Sequence, residues 1–249
     1  MDNFIIFFKR FYKALLNTFF PNICWECHKI LLGDRVGYCD DCFKKVPRIK
    51  NQTHCIQCSS LYFVDRKGLC LSCRDNFHET LYFDYHLSSF SYEEEIKALI
   101  LAGKFGGRRS VWTFLANEMY DLIKNSDNNS KPLIIPVPIS RKRHRERGFN
   151  QAKLLATKLS ALSNIPLNNN ILIKIRNNQK QSQKSQLERK DNPKDCYQVV
   201  NQKEIMDKTI LLLDDVFTTG STANECSKVL KEGCAQKVIV LTVAKRDFD

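Results

Sequence analysis

After the first twenty residues the chain lacks any stretch long and apolar enough to span a bilayer, which excludes a bundle of membrane helices. No secretion signal is expected in its first twenty residues either. Lys9, Arg10 and Lys13 interrupt the apolar run of Met1 to Phe20, and no small-residue cleavage site follows. The expectation is a cytoplasmic protein with no transmembrane segment. Acidic residues are scarce in one region. From Lys97 to Lys194 there are 6 Asp/Glu against 20 Lys/Arg, an excess of +14 in a chain of 249 residues whose total is +12. The basic character therefore belongs to the middle of the chain, where it suits a polyanionic partner or simple solubility.

Ile5, Phe8, Tyr12, Leu15 and Phe19 fall at helical spacing, which predicts an amphipathic helix over residues 1–20. Docking on its own protein is favoured over a membrane-surface role.

Eight of the eleven cysteines lie in Cys-x-x-Cys pairs: Cys24/Cys27, Cys39/Cys42, Cys55/Cys58 and Cys70/Cys73. Adding 31 to the first four positions gives the last four, so the segment is a tandem repeat. A two-residue gap lets both thiolates point at one ion, and two such knuckles complete a tetrahedral zinc site. Disulfides fit poorly in a chain without a secretion signal, and iron–sulfur spacings differ. The simplest pairing is sequential, giving two closed structural Zn²⁺ sites, although spacing alone also permits a cross-braced arrangement. Residues 21–75 form this module, with Pro47–Thr53 as the linker between its halves; His28 and His54 fall outside the ligand spacing.

Residues 76–249 read as an α/β domain. Leu81–Phe90 is a strand or hairpin in which His86 serves packing. Helices follow at Glu93–Leu101 and Val111–Ile123, separated by the basic, glycine-rich loop Lys104–Arg109. Leu133–Pro138 is a buried strand ended by prolines. It leads into a basic loop with Arg141, Lys142, Arg143, Arg145 and Arg147, positioned to meet a pyrophosphate or a DNA backbone. Ala152–Leu162 is a helix and Ile171–Ile175 a strand. Arg176–Asp195, containing Gln183, Gln186, Arg189 and Asn192, reads as a long flexible loop of the kind that closes over a phosphorylated substrate.

The stretch Ile210–Thr222 organises the rest. Ile210–Leu213 is a branched apolar run, the signature of a strand buried on both faces of a parallel sheet. Asp214 and Asp215 end it; Val216, Phe217, Thr218, Thr219, Gly220, Ser221 and Thr222 then lead into a helical pattern. A strand, a short Thr/Gly/Ser loop and a helix start present N–H and hydroxyl donors to a phosphate. Adjacent carboxylates would repel that phosphate but accept bonds from a diol beside it. A phosphate cradle beside a diol clamp describes a ribose 5-phosphate group.

Leu-Leu-Asp-Asp-Val-Phe-Thr-Thr-Gly-Ser-Thr resembles the phosphoribosyl pyrophosphate (PRPP) motif of type I phosphoribosyltransferases. The Cys-x-x-Cys pairs, Leu99–Gly107, Pro136-Val-Pro138, Arg147-Gly-Phe-Asn-Gln-Ala152 and Gln183–Asn192 extend the likeness to the ComF family of competence proteins. That resemblance implies a parallel-sheet phosphoribosyltransferase-like domain behind a small Cys-rich zinc module. It further implies PRPP or a related phosphorylated ribose with Mg²⁺, single-stranded DNA as a partner in natural transformation, and a competence helicase as a further partner. A phosphoribosyltransferase acting on a small acceptor without a DNA role is the alternative. No stretch identifies a nucleobase pocket, so the acceptor stays open.

Overall fold

Two apolar runs, 209–217 and 237–245, are buried along most of their length and occupy the middle of a four-stranded sheet. The computed structural model describes residues 22–31, 37–49, 52–61, 64–75, 81–124, 131–175 and 196–246. The helix expected over residues 1–20 and the loop residues Gln183, Gln186, Arg189 and Asn192 lie outside the described residues.

In chain order the elements are α1 (Asp40–Phe43), α2 (Leu71–Arg74), β1 (Tyr85–Ser91), α3 (Glu94–Phe105), α4 (Ser110–Tyr120), β2 (Leu133–Pro136), α5 (Arg141–Arg147), α6 (Gln151–Ser163), β3 (Leu172–Lys174), β4 (Tyr197–Val199), β5 (Thr209–Phe217), α7 (Ser221–Glu232) and β6 (Lys237–Lys245). The main sheet has the order β1-β6-β5-β2, and every pair in it is parallel. This is the expected α/β architecture. Side chains alternate across β5, so Leu211 and Leu213 join Trp112, Leu155 and Leu159 on one face. Ile210 and Leu212 pack with Cys226 and Leu230 of α7 on the other. β3 and β4 pair antiparallel as a separate ribbon. Among the described residues, no helix is long and apolar enough to cross a membrane.

Three local features differ from the sequence reading. β5 does not stop at Leu213. Asp214, Val216 and Phe217 continue the ladder opposite Thr242, Ala244 and Lys245 of β6, a partner long enough to template them. Its other neighbour, β2, ends with Pro136 opposite Leu213, so the strand's last residues protrude past β2. Secondly, the basic segment expected as a loop is a helix, α5. Ser140 caps it by accepting from the Arg143 N–H at 3.2 Å, and Gly148, at φ 74°, stops it in the left-handed region. None of its residues is buried. Thirdly, the front of the expected 47–53 linker is pinned. Ile49 is buried, and Arg48 pairs with Glu118 at 2.6 Å while lying over the Phe43 and Phe90 rings.

The 31-residue repeat is visible in the backbone as well as in the cysteines. Cys24 N–H donates to Lys29 O and Cys55 N–H to Ser60 O. Trp25 N–H donates to Gly37 O and Ile56 N–H to Gly68 O. His28 and Ser59 both adopt φ 59°. The two halves dock differently. The first lies against α3 and α4 through Trp25, Tyr38 and Phe43, with the Phe43 and Phe114 centroids 4.6 Å apart. The second reaches β1, where Gln57 O accepts from the His86 N–H at 2.9 Å.

Candidate functional site and metal centres

In each four-cysteine group, Cys24/Cys27/Cys39/Cys42 and Cys55/Cys58/Cys70/Cys73, the sulfur atoms all lie within 4.8 Å of one another. The fold therefore makes the sequential pairing. Cys27 Sγ and Cys39 Sγ are 3.7 Å apart, as are Cys58 Sγ and Cys70 Sγ. A tetrahedron with Zn–S of about 2.3 Å has edges of about 3.8 Å, so the thiolates present could hold zinc. Four ligands per cluster leave no open position for substrate, so zinc held there would be structural. Metal analysis is expected to give about two zinc per chain. One per chain would disqualify one cluster, and none would disqualify both.

Thr218, Thr219 and Gly220 lie between β5 and α7, and Ser221 and Thr222 are the first residues of α7. Gly220 takes φ 79°, and a Cβ there would sit 2.6 Å from Phe217 Cζ, so only glycine fits without a shift. Phe217 is buried beneath the loop, stacked on His86. Thr218, Thr219 and Ser221 are exposed, with Thr219 Oγ1 2.8 Å from Ser221 Oγ. Thr222 is half-buried, and its hydroxyl bonds to the phenol of Tyr197 on β4. Val216 is half-buried and packs on the opposite core.

Asp214 and Asp215 stand on opposite faces of β5, as alternation requires. Asp215 is buried and forms an ion pair with Lys104 from the end of α3. Burial alone would push its carboxyl up, but the Lys104 ammonium, together with bonds from Lys104, Asp214 and Gln151, holds it below the usual range. Asp214, half-buried, accepts the Asp215 N–H at 2.8 Å. Burial first, and the charge of Asp215 second, push its carboxyl up.

A raised acid contributes stability that is complete below its unfolded pKa, near 3.9, and is lost as pH rises through its folded value, here about 8. Asp214→Asn is therefore expected to be more stable than the native chain at neutral pH, by a margin that grows between pH 4 and 8. Denaturation midpoints across that range check this, and a margin that shrinks with pH would contradict the assignment.

β2 and β5 are parallel neighbours, so α5, which follows β2, and the Thr218–Thr222 loop both follow carboxyl ends of the same sheet. Arg141, Lys142, Arg143 and Arg145 are exposed on α5. Arg147 lies over the ring of Phe105 at 5.3 Å, and Phe105 is itself 69% exposed. After Gly148, Phe149 buries beneath Arg109 at 5.0 Å. Asn150 caps α6 by accepting from Ala152 N–H, and donates to Val137 O at 3.0 Å, tying helix to strand. Gln151 then bonds to Asp215.

Lys104, Phe105 and Gln151 were not singled out as site residues from sequence. Their signal was faint. Lys104 begins a loop recognised only as basic and glycine-rich, and nothing local connects it to an aspartate 111 positions away.

Residues 116–247 match the family model described as the phosphoribosyl transferase domain. The chain is 30% identical over 235 residues to competence protein F of Haemophilus influenzae, covering 92% of this chain and 99% of that one. It is 27% identical over 233 residues to competence protein ComFC of Bacillus subtilis, covering 92% of both. It is 25% identical over 224 residues to DNA utilization protein YhgH of Escherichia coli K12, covering 88% of this chain and 95% of that one. With two four-cysteine clusters in front of a phosphoribosyl transferase domain, the chain belongs to the ComF family of competence proteins.

Proposed function

We propose that the chain is a cytoplasmic DNA-uptake factor that handles single-stranded DNA and keeps a PRPP site. The observation that carries the PRPP part is the end of β5: a Gly220-centred loop of hydroxyls opening into α7, with Asp214 and Asp215 bracketing the edge from its two faces. The loop from Phe217 to Thr222 takes the 5-phosphate, through its backbone and the hydroxyls of Thr218, Thr219, Ser221 and Thr222. The acid edge takes the ribose hydroxyls, with Val216 as the spacer between them. Lys104 and Gln151 keep Asp215 charged and oriented. Mg²⁺ bound with PRPP would neutralise its pyrophosphate, and Arg141, Lys142, Arg143, Arg145 and Arg147 supply further positive charge on the same side of the sheet. Positioning and fixed charge are what such a site contributes to chemistry.

The DNA part is supported by α5, a cationic helix with no buried residue, beside an exposed aromatic ring under an arginine. Cations neutralise phosphates while a ring stacks on bases, the usual combination for gripping single strands. The names of the relatives, competence protein F and DNA utilization protein YhgH, support the same reading.

Thermal unfolding tests the ligand. PRPP with Mg²⁺ at about a hundred times its Kd should stabilise the native chain by about 2.7 kcal/mol, with a smaller effect in Thr219→Val/Ser221→Ala. An unchanged midpoint in the native chain would overturn the PRPP site. Anisotropy of a labelled oligonucleotide across salt concentrations tests the strand. Replacing Arg141, Arg143 and Arg145 with alanine should flatten the slope, and Phe105→Ala should weaken binding roughly 5- to 150-fold without changing the slope, the equivalent of about 1–3 kcal/mol of base stacking. An unchanged slope in the triple variant would remove α5 from the DNA path. Pyrophosphate release with a small acceptor, in a protein with no affinity for DNA, would favour the plain phosphoribosyltransferase reading.

A further inference from the structure

His86 is fully buried, hydrogen-bonded at both ring nitrogens, and absent from any role described so far. Its Nδ1 lies 2.9 Å from the carbonyl oxygen of Cys58, a member of the second four-cysteine cluster. A carbonyl only accepts, so Nδ1 carries the proton and Nε2 accepts from the Thr242 hydroxyl at 2.8 Å. Main-chain bonds add to the grip: the His86 N–H donates to Gln57 O at 2.9 Å, and Ser59 Oγ donates to His86 O at 2.6 Å. The ring, fixed from both ends, lies flat on Phe217, with centroids 4.1 Å apart and planes 19° apart. Phe217 in turn is the surface on which Gly220 rests.

From these contacts we infer that His86 is a positioning residue: it transmits the metal-bound geometry of the second cluster, through Phe217, to the phosphate-binding loop. Only three contacts separate the Cys58 carbonyl from Gly220. Metal at this cluster holds the Cys55–Cys58 turn, the turn aims the carbonyl, the carbonyl orients the imidazole, and the imidazole supports the ring beneath the loop. The first cluster has a different neighbourhood. It docks on α3 and α4, where Gly37 abuts Leu99 and Phe43 meets Phe114. An apolar side chain would fill the place of His86 without the desolvation cost of burying an imidazole, and it would form no bond to Cys58. By linkage, whatever metal does for the loop, a ligand on the loop must do for the metal. This rests on the assignment of Thr218–Thr222 as the phosphate loop.

Amide hydrogen exchange over residues 217–222, read without PRPP, tests the coupling independently of that assignment. The proteins compared are the native chain, Cys70→Ser/Cys73→Ser in the second cluster and Cys39→Ser/Cys42→Ser in the first. The expected result is loop exchange about 5- to 150-fold faster in the second-cluster variant, the span of typical coupling energies, and unchanged in the first-cluster variant. In His86→Phe, adding the Cys70→Ser/Cys73→Ser pair should bring no further acceleration. Phe217→Leu covers the case in which a cysteine variant does not fold. It leaves all eight thiolates and both imidazole bonds in place, and should accelerate loop exchange with metal content unchanged. Equal loop exchange in the native chain and the second-cluster variant, or slow exchange in Phe217→Leu, would overturn the inference. Absence of PRPP binding in the native chain would overturn the proposed function while leaving the exchange result standing.

Discussion

Lys104→Met is expected to destabilise the protein by about 3–5 kcal/mol, the usual cost of removing one partner from a buried ion pair. Both side chains are well covered, at 15% and 7% exposure, so solvent screens the pair little. Without the ammonium, Asp215 sits buried in the sheet edge with the bonds from Asp214 and Gln151 but no cation beside it. The double variant Lys104→Met/Asp215→Asn should recover much of the loss, because no uncompensated charge remains. The pH dependence has a definite sign. Asp215 titrates below the usual range in the folded chain, so its contribution is present above its unfolded pKa, near 3.9, and is lost as pH falls through the folded value. Lys104→Met should abolish that acid-side loss. Urea denaturation of the three proteins from pH 3 to 7 measures both effects, and a single variant as stable as the native chain would mean that the pair carries nothing.

Gly220→Val is expected to be the most damaging change within the proposed phosphate loop. The position has φ 79°, where a residue with a side chain costs about 1–2 kcal/mol and a β-branched one more. The added Cβ would also meet the Phe217 ring at 2.6 Å. The ring cannot retreat freely, since it is stacked on His86 and set edge-on to Phe83 at 5.9 Å. Overpacking of this kind adds about 1–3 kcal/mol. The variant should lose several kcal/mol of stability and also its response to PRPP, because relief of the clash moves the backbone of the proposed phosphate loop. Thermal unfolding with and without PRPP and Mg²⁺ reads both quantities. Native-like stability with an undiminished ligand shift would show that neither the turn nor its contact with Phe217 matters.

How far the sequence carried depended on whether a feature was local. The apolar run Ile210–Leu213, the hydroxyl loop after it and the 31-residue cysteine offset are short-range patterns with direct physical meanings, and the parallel sheet and both four-cysteine clusters match them. The end of β5 was misjudged because two acids look like a strand terminator, whereas the length of β6 decides where the ladder stops. Helix α5 was hidden by its charge: five Lys/Arg within Arg141–Arg147 read as an anion-binding loop, and only the cap at Ser140 and the stop at Gly148 reveal a helix. Arg48 and Ile49 sat in a segment that composition marked as a linker, but the burial of Ile49 and the contacts of Arg48 with Glu118, Phe43 and Phe90 are tertiary. The pairs Lys104 with Asp215, and Cys58 with His86, join elements far apart in the chain, beyond the reach of spacing arguments.

The central claim is that the end of β5 is a working PRPP site, and calorimetric titration of PRPP with Mg²⁺ into native and Asp214→Asn proteins tests it most directly. The Asn side chain keeps the acceptor for the Asp215 N–H but puts an amide donor where the second carboxyl oxygen would accept from a ribose hydroxyl. The account predicts saturable binding in the native chain, lost or strongly weakened in a variant that is folded and more stable at neutral pH. Equal heats in the two proteins, or none in either, would contradict it.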